Sequence, residues 1–575
     1  MNDPVANQVD GASESQTGNI ARHLGHMAGL QPDRPAVICA RGRDAQGAID
    51  YQQLTFRELE DASTQLAVAL DGIGIRRGMR TALMVPPGLG FFTLTFALFK
   101  VGAVPVLIDP GIGLSNLRGC LLHAEPEAFI GITRAHAARV ILGWARNSVR
   151  IKVTLGPRLF WGGHTLAGLR GGARKTAPRA LLEAAARFAM IEPAADETAA
   201  ILFTSGSTGA PKGAVYTHEI FNAQVDHIRA LYGIEPGEMD LATFPLFALF
   251  GPALGMTAVV PEMDASRPAR ADPVNIIGAI QKFGITNMFG SPALINRVGR
   301  YGEAHQIKLP SLRRAISAGA PVPAKTLARF AAMLPDGAQV FTPYGATECL
   351  PVASIGSGEI LTETREHTDA GAGVCIGRPV PGLMAKVIRI NDDPIDTWSD
   401  SLELPAGAIG EIAVKAGHAT RTYFNLPSAT ALAKIQDPAH GGFYHRMGDV
   451  GYFDARGRLW FCGRKAHRVV SPDQTRFSIP CEGVFNAHPM VFRTALVGVE
   501  RSGVMDPVLC VELEATAKHD NQESLRDELL KLGAVHEHTR AIRTILFHPS
   551  FPVDVRHNAK IFRDKLAVWA AEKLR

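Results

Sequence analysis

Twice along the chain, over residues 51–108 and again over residues 276–340, helical and extended patterns alternate, and this alternation is the strongest constraint on the fold. Residues 59–70 are amphipathic with helical period, residues 81–85 form a short apolar run, and residues 103–108 follow another helical segment. The second stretch repeats the pattern, with apolar runs at 285–289, 314–318 and 339–341 between helical segments. Strands separated by helices return to the same edge direction, so the pattern predicts a mostly parallel sheet with helices on its faces, an α/β architecture.

With 575 residues the chain is too long for one core and corresponds to roughly three to four domain-sized units. After Gly382 the texture changes to short strands and turns (385–390, 410–414, 459–462), the signature of a small β-barrel. The last part mixes strands at 493–499 and 508–513 with a helix at 522–532, which predicts a separate small α+β domain. The boundary is expected at 463–469, dividing the chain into 1–463 and 464–575. The Gly-rich piece 161–175 reads as a surface loop.

Several classes of function are disfavoured by composition. A formal charge of +5, spread over scattered basic residues, is not the dense stripe of a nucleic-acid binder. Residues 1–18 lack the basic flank and apolar core of a secretory signal, and the apolar stretches 89–99 and 246–260 are short or broken by Gly and Pro, so no membrane span is expected. Seven widely spaced cysteines without a CxxC pair fit reduced thiols in a cytoplasm. His536 and His538 flank Glu537 in what reads as an exposed polar turn.

The sharpest local signal is an apolar run, Ile201-Leu-Phe, leading into Thr204, Ser205, Gly206, Ser207, Thr208 and Gly209, then Pro211, Lys212 and Gly213. A loop of small residues exposes successive backbone N–H groups and hydroxyls to polyphosphate oxygens, while Lys212 supplies a point charge. It is not the usual P-loop, because no Gly-Lys-Ser/Thr opens a helix. An ordinary Ser/Gly linker would not directly follow a buried strand and end in Pro-Lys-Gly. A second segment, Thr342-Pro-Tyr-Gly-Ala-Thr-Glu348, places Thr347 and Glu348 after a strand ending at Phe341, and Tyr344 where it can cover a base. Triphosphate-bound Mg²⁺ takes one or two protein oxygens, which this pair offers. In the third segment, Tyr444-His-Arg-Met-Gly-Asp449-Val-Gly451, a carboxylate flanked by glycines can accept from two sugar hydroxyls, with Arg464 beyond it. Taken singly, the second and third segments are common turns.

Together and in this order, the three segments resemble the adenylate-forming superfamily of acyl-CoA synthetases, peptide-synthetase adenylation domains and luciferases, over nearly the whole chain. The resemblance implies two α/β subdomains and a small barrel, followed by a mobile C-terminal α+β domain, with the active site between them. It implies ATP as substrate with Mg²⁺, and Thr204 to Gly209 with Lys212 at the pyrophosphoryl end. The adenine pocket would be Ser317-Ala-Gly319-Ala320-Pro321 with Tyr344 and Gly345. Thr347 and Glu348 would take the metal, Asp449 the ribose and Arg464 a phosphate near the hinge. Near the end, Phe551-Pro-Val-Asp-Val-Arg-His-Asn-Ala-Lys560 resembles the segment whose Lys bridges carboxylate and α-phosphate, although Ala559 replaces the family's Gly. Lys560, Glu348 and Thr204 are thus the expected catalytic residues.

Two departures concern the second half-reaction: Ala248 replaces a His that many acyl-CoA synthetases carry, and residues 470–480 replace a Gly-containing loop that lines a thiol tunnel. The segments 244–250, 344–351 and 108–111 are most similar to the branch of the superfamily that makes β-lactones in bacterial long-chain olefin biosynthesis. That likeness implies a 2-alkyl-3-hydroxy fatty acid as substrate, its own β-hydroxyl as nucleophile, and assembly with neighbouring pathway enzymes. Phe244, Phe247, Ala248 and Phe250, with Leu249, are candidate tunnel walls or simply core. His218, His445 and His467 are candidate bases for ring closure. A long-chain acyl-CoA or acyl-carrier-protein ligase is the alternative. A silent nucleotide-binding relative fits less well, because Lys212, Glu348 and Lys560 are all present.

Overall fold

The computed structural model describes residues 18–171, 179–204, 209–244, 248–501, 503–517, 521–554 and 560–575. Two large sheets organise the part before Gly382. One has seven strands in the order His164–Thr165, Ile151–Leu155, Ala128–Ile132, Arg80–Met84, Val104–Leu107, Thr198–Phe203 and Gly213–Thr217. All its pairings are parallel except the last. The other has nine strands, with Met239–Ala242, Asn287–Phe289, Arg314–Ile316 and Gln339–Ala346 as its parallel centre. The alternating patterns of the sequence therefore supply the inner strands of both sheets.

The helices between the sheets follow from local chemistry. Helix Phe56–Gly72 opens on a capping box, in which the Glu58 N–H donates to Thr55 Oγ1 and the Thr55 N–H donates to Glu58 Oε2. Helix Leu89–Lys100 is apolar on nearly every side and is buried accordingly. Its one charge, Lys100, is buried at the last turn and lies 2.7 Å from Glu60. Burial lowers the Lys100 pKa, and Glu60 pulls it back. One continuous core joins the facing layers, with Val37 and Ala258 from one sheet and Leu83, Leu107 and Ala200 from the other.

The strands after Gly382, joined by Val374–Cys375, build a six-stranded antiparallel sheet centred on Phe443–Phe453, which pairs with Gly410–Lys415 and Leu459–Arg464. Beyond it, Val491–Arg501, Val504–Leu513 and Thr544–Phe547 form a three-stranded sheet covered by Ser478–Asn486, Gln522–Ala534 and Arg563–Lys573. Both apolar cores of this unit are made from residues after Arg468.

Two local expectations are corrected. The strand expected to end at Phe341 runs on to Ala346 and turns back antiparallel as Cys349–Gly356, so the Thr342 to Glu348 segment is a hairpin and not a loop. Beyond Phe341 the parallel neighbour has ended, leaving a partner on one side only, which is where a strand tolerates Pro343. The Gly-rich piece is not all surface loop: Trp161 is buried, its indole donates to Thr154 Oγ1 at 3.0 Å, and His164–Thr165 joins the sheet; residues 172–178 lie outside the described residues. Residues 470–480 are a tight pairing of Val469–Val470 with Thr475–Arg476 followed by the start of helix Ser478–Asn486. All seven cysteines are buried and free, and no helix among the described residues is long and apolar enough to cross a membrane.

Candidate active site

Strand Thr198–Phe203 delivers Thr204 to the edge of the seven-stranded sheet, and the chain returns antiparallel from Gly213. The neck of this loop is tied twice: the Thr204 N–H donates to Lys212 O at 3.0 Å, and the Lys212 N–H donates to Thr204 Oγ1 at 3.1 Å. Gly213 must lack a side chain, because a Cβ there would meet Ile201 at 2.9 Å. Lys212 Nζ lies 5.1 Å from the centre of the Tyr423 ring. Ser205, Gly206, Ser207 and Thr208 lie outside the described residues.

The hairpin turn brings Thr347 and Glu348 against two buried phenols. The Tyr216 hydroxyl donates to Thr347 O at 2.6 Å, and the Tyr423 hydroxyl donates to Glu348 Oε1 at 2.6 Å. Burial raises the pKa of both phenols, so they remain donors. The turn is sealed by the Thr420 N–H, which donates to Glu348 O at 2.8 Å. Behind it stands Lys434, whose amine donates to Thr420 O and lies 3.1 Å from His445 Nδ1. Burial pulls Lys434 down to about 7 against the attraction of Glu348. Burial together with Lys434 holds His445 far below the usual imidazole range.

The third group assembles across three strands. Asp449 and Arg464 face each other in register, Arg464 Nη1 lies 3.1 Å from Asp449 Oδ1, and the Tyr344 hydroxyl donates to Asp449 Oδ2 at 2.6 Å. Burial pushes the Asp449 carboxyl up, while Arg464 and Tyr344 act in the opposite direction. The charge of Lys560 acts on the same carboxylate, which puts the far end of the chain at this site. Ser317, Gly319, Ala320 and Pro321 border the same cavity. Ser317 Oγ is buried with no hydrogen-bond partner among the described residues, and Gly319 has a left-handed φ of 99°.

Most of these groups line one cavity of about 1630 Å³, although Thr420 and Lys434 do not. Thr204, Gly209, Lys212, Tyr344, Gly345, Thr347, Glu348, Asp449, Arg464 and Lys560 are among its lining residues. Phe244 and Phe250 line the same cavity, as do Phe96, Phe99, Phe221 and Val225. Ala248 does not reach it: the helical turn that points Leu249 and Phe250 inward carries Ala248 into the core, where it is 1% exposed. Phe247 lies outside the described residues. Of the three histidines, His445 and His467 border the cavity, whereas His218 packs away from it, with Nδ1 accepting from the Ile20 N–H. Sequence reasoning missed Tyr216, Tyr423 and Lys434, because nothing local marks them; each matters through a partner more than ten residues away.

A strand-borne phosphate-type loop, a Thr-Glu hairpin turn, an Asp-Arg pair and a lysine from the last part of the chain, all on one cavity, define a nucleotide-using α/β enzyme. The profile of the AMP-binding enzyme family matches residues 25–424, and the chain belongs to that family. Within it, the chain is 49% identical over 560 residues to the olefin beta-lactone synthetase of Xanthomonas campestris, covering 96% of this chain and 98% of that protein. It is 26% identical to a long-chain-fatty-acid–CoA ligase of Escherichia coli over 78% of each chain. The fold is that of the O-succinylbenzoate coenzyme A synthetase of Bacillus subtilis solved with ATP and magnesium ion, with a TM-score of 0.72, 20% identity, and coverage of 96% and 99% of the two chains.

Proposed function

We propose that this protein consumes ATP to activate a 2-alkyl-3-hydroxy fatty acid as its acyl-adenylate and then closes a β-lactone, releasing pyrophosphate and AMP. The observation that carries the reading is one cavity lined by both the charged groups and several phenylalanines, in a chain that matches the Xanthomonas enzyme at 49% identity over 96% of its length. In the first step a carboxylate oxygen attacks the α-phosphorus and the bond to pyrophosphate breaks. Two anions approach each other, so cations must meet the charge that grows on the transferring group. Lys560 and Arg464 are assigned that work, Lys212 with the Thr204 loop holds the pyrophosphoryl end, Asp449 holds the ribose, and Gly319 to Pro321 with Tyr344 and Gly345 enclose the adenine. With Glu348 Oε1 anchored by Tyr423, its second oxygen and Thr347 Oγ1 suit Mg²⁺ carried in on the triphosphate, a hard cation that takes few protein oxygens. That ion would supply charge neutralisation at the phosphates.

In the second step the β-hydroxyl oxygen attacks the acyl carbon and the bond to AMP breaks. The strained ring forms because the adenylate is a strong acyl donor and the cavity holds hydroxyl and carbonyl together. His445 is assigned the hydroxyl proton, because it borders the cavity while its Nδ1 is held against Lys434 and Ala433 O. The test is to supply ATP, Mg²⁺ and a 2-alkyl-3-hydroxy fatty acid without CoA. β-Lactone ring protons by NMR and stoichiometric AMP are expected. A strict CoA requirement, or a thioester product, would assign the chain to the ligases instead.

A further inference from the structure

Residues 114–160 combine an excess of basic residues with several exposed apolar side chains. They hold seven basic residues, with Arg118, Arg134, Arg146, Arg150 and Arg158 exposed, against only Glu125 and Glu127. The segment's formal charge of +5 equals that of the whole chain, so all the remaining residues sum to zero. It also carries seven of the eighteen large apolar side chains exposed among the described residues: Leu114, Leu122, Leu159, Phe160 and residues 140–142, with Phe160 81% and Ile141 79% exposed.

These residues belong to one layer. Helices Leu114–Ala124 and Thr133–Ile141 share an apolar core through Leu117, Leu121 and Ala138 on the same face of the seven-stranded sheet. Phe160 is fixed beside them, because its ring lies 5.5 Å from Trp161, which in turn stacks on His136 of the second helix at 5.4 Å. The first helix has two sides with different work. Ser115, Asn116, Gly119 and His123 border the cavity, while Leu114, Arg118 and Leu122 face solvent.

From this juxtaposition we propose that the layer docks on an anionic lipid surface, setting the cavity mouth against the bilayer. Single apolar side chains standing among arginines suit the headgroup boundary: the rings and branched chains enter the acyl region while the guanidiniums remain with the phosphates. The charge selects an anionic surface over a zwitterionic one. The advantage of such docking rests on the proposed substrate, since an acid with two alkyl chains partitions into bilayers and would enter from the surface without crossing water.

The experiment is flotation of the full-length protein with vesicles of phosphatidylcholine, with and without about one-third phosphatidylglycerol, the anionic membrane surface being the probe. Wild type should float at least about tenfold more with the anionic vesicles and should be released near 1 M salt, where the screening length falls to about 3 Å. The pair Ile141→Asp and Phe160→Asp, and separately the pair Arg118→Glu and Arg134→Glu, should each reduce flotation about tenfold with the thermal midpoint unchanged. Failure of the wild type to float overturns the proposal, and so does equal flotation by the substituted proteins. Loss of association with a second copy or with a soluble acidic protein, without any vesicle binding, also overturns it and makes the face a protein interface. Flotation needs neither ATP nor acid, so its failure leaves the reaction assignment standing, and a failed lactone assay leaves the surface standing.

Discussion

Lys560 enters the cavity from a short main-chain pairing near the chain's end, where the Lys560 N–H donates to Asp554 Oδ1 and the Asp554 N–H donates to Lys560 O, both at 3.0 Å. The backbone is thus held independently of the side chain's charge, and Lys560→Ala should remove the charge without moving the segment. Substrate-dependent pyrophosphate release should fall about 10²- to 10³-fold with nucleotide binding largely retained, because the Thr204 loop is on another unit. His445→Gln should show the complementary pattern, with pyrophosphate release retained and lactone formation slowed. Pyrophosphate assays beside lactone quantification separate the two; normal pyrophosphate release by the Lys560 variant would remove that residue from the reaction. Glu348 and Asp449 stood out in the sequence only through the order of the three segments and the family they resemble, since an acid beside a glycine or threonine turn is common by itself. The phenolic donor to Glu348 did not stand out, since Tyr423 is 75 positions further along the chain.

At the scale of elements, the junction after Leu459–Arg464 decides how the last unit is carried. Gly463 has φ of 119°, and a Cβ there would fall 2.4 Å from Ser478 Oγ, so only glycine passes the chain under helix Ser478–Asn486. The next turn, Lys465–His467, is moored to the six-stranded sheet: Lys465 Nζ donates to Asn391 O at 2.7 Å and lies 3.3 Å from Glu411, and Arg468 pairs with Asp392. We propose that this turn is the hinge about which the unit carrying Lys560 moves, so that closure excludes water from the acyl-adenylate. Proline at Ala466 disfavours the helical conformation of Lys465 and fixes its own φ. Ala466→Pro should therefore slow turnover more than it weakens ATP binding, as steady-state rates beside nucleotide titration will show. Unchanged turnover would place the hinge elsewhere.

For the molecule as a whole, buried neutral histidines tie stability to pH. Burial pulls His218 and His418 down to about 4 and His467 to about 3. Between these values and the usual 6.5 the unfolded chain binds protons that the native chain does not, so stability rises with pH across that window and is lost as pH falls through it. His418→Gln keeps a donor for Pro351 O, which His418 Nε2 contacts at 2.8 Å, but cannot titrate. Urea melts from pH 4 to 7 should show it less acid-sensitive, by on the order of 3 kcal/mol at full protonation; an unchanged slope would assign the effect to other groups. The sequence by itself determined the alternation that makes both parallel sheets and the order of the three nucleotide segments, because periodicity and small-residue loops are read over a few neighbours. Only the tertiary structure decided that Thr342 to Ala346 is a strand, since its sole partner is the returning Cys349–Gly356. The same holds for Ala248 in the core, Trp161 under a glycine-rich segment, and Lys434 behind Glu348. Those outcomes depend on which surfaces two sheets and their helices bring together, and long-range burial leaves no local mark on the chain.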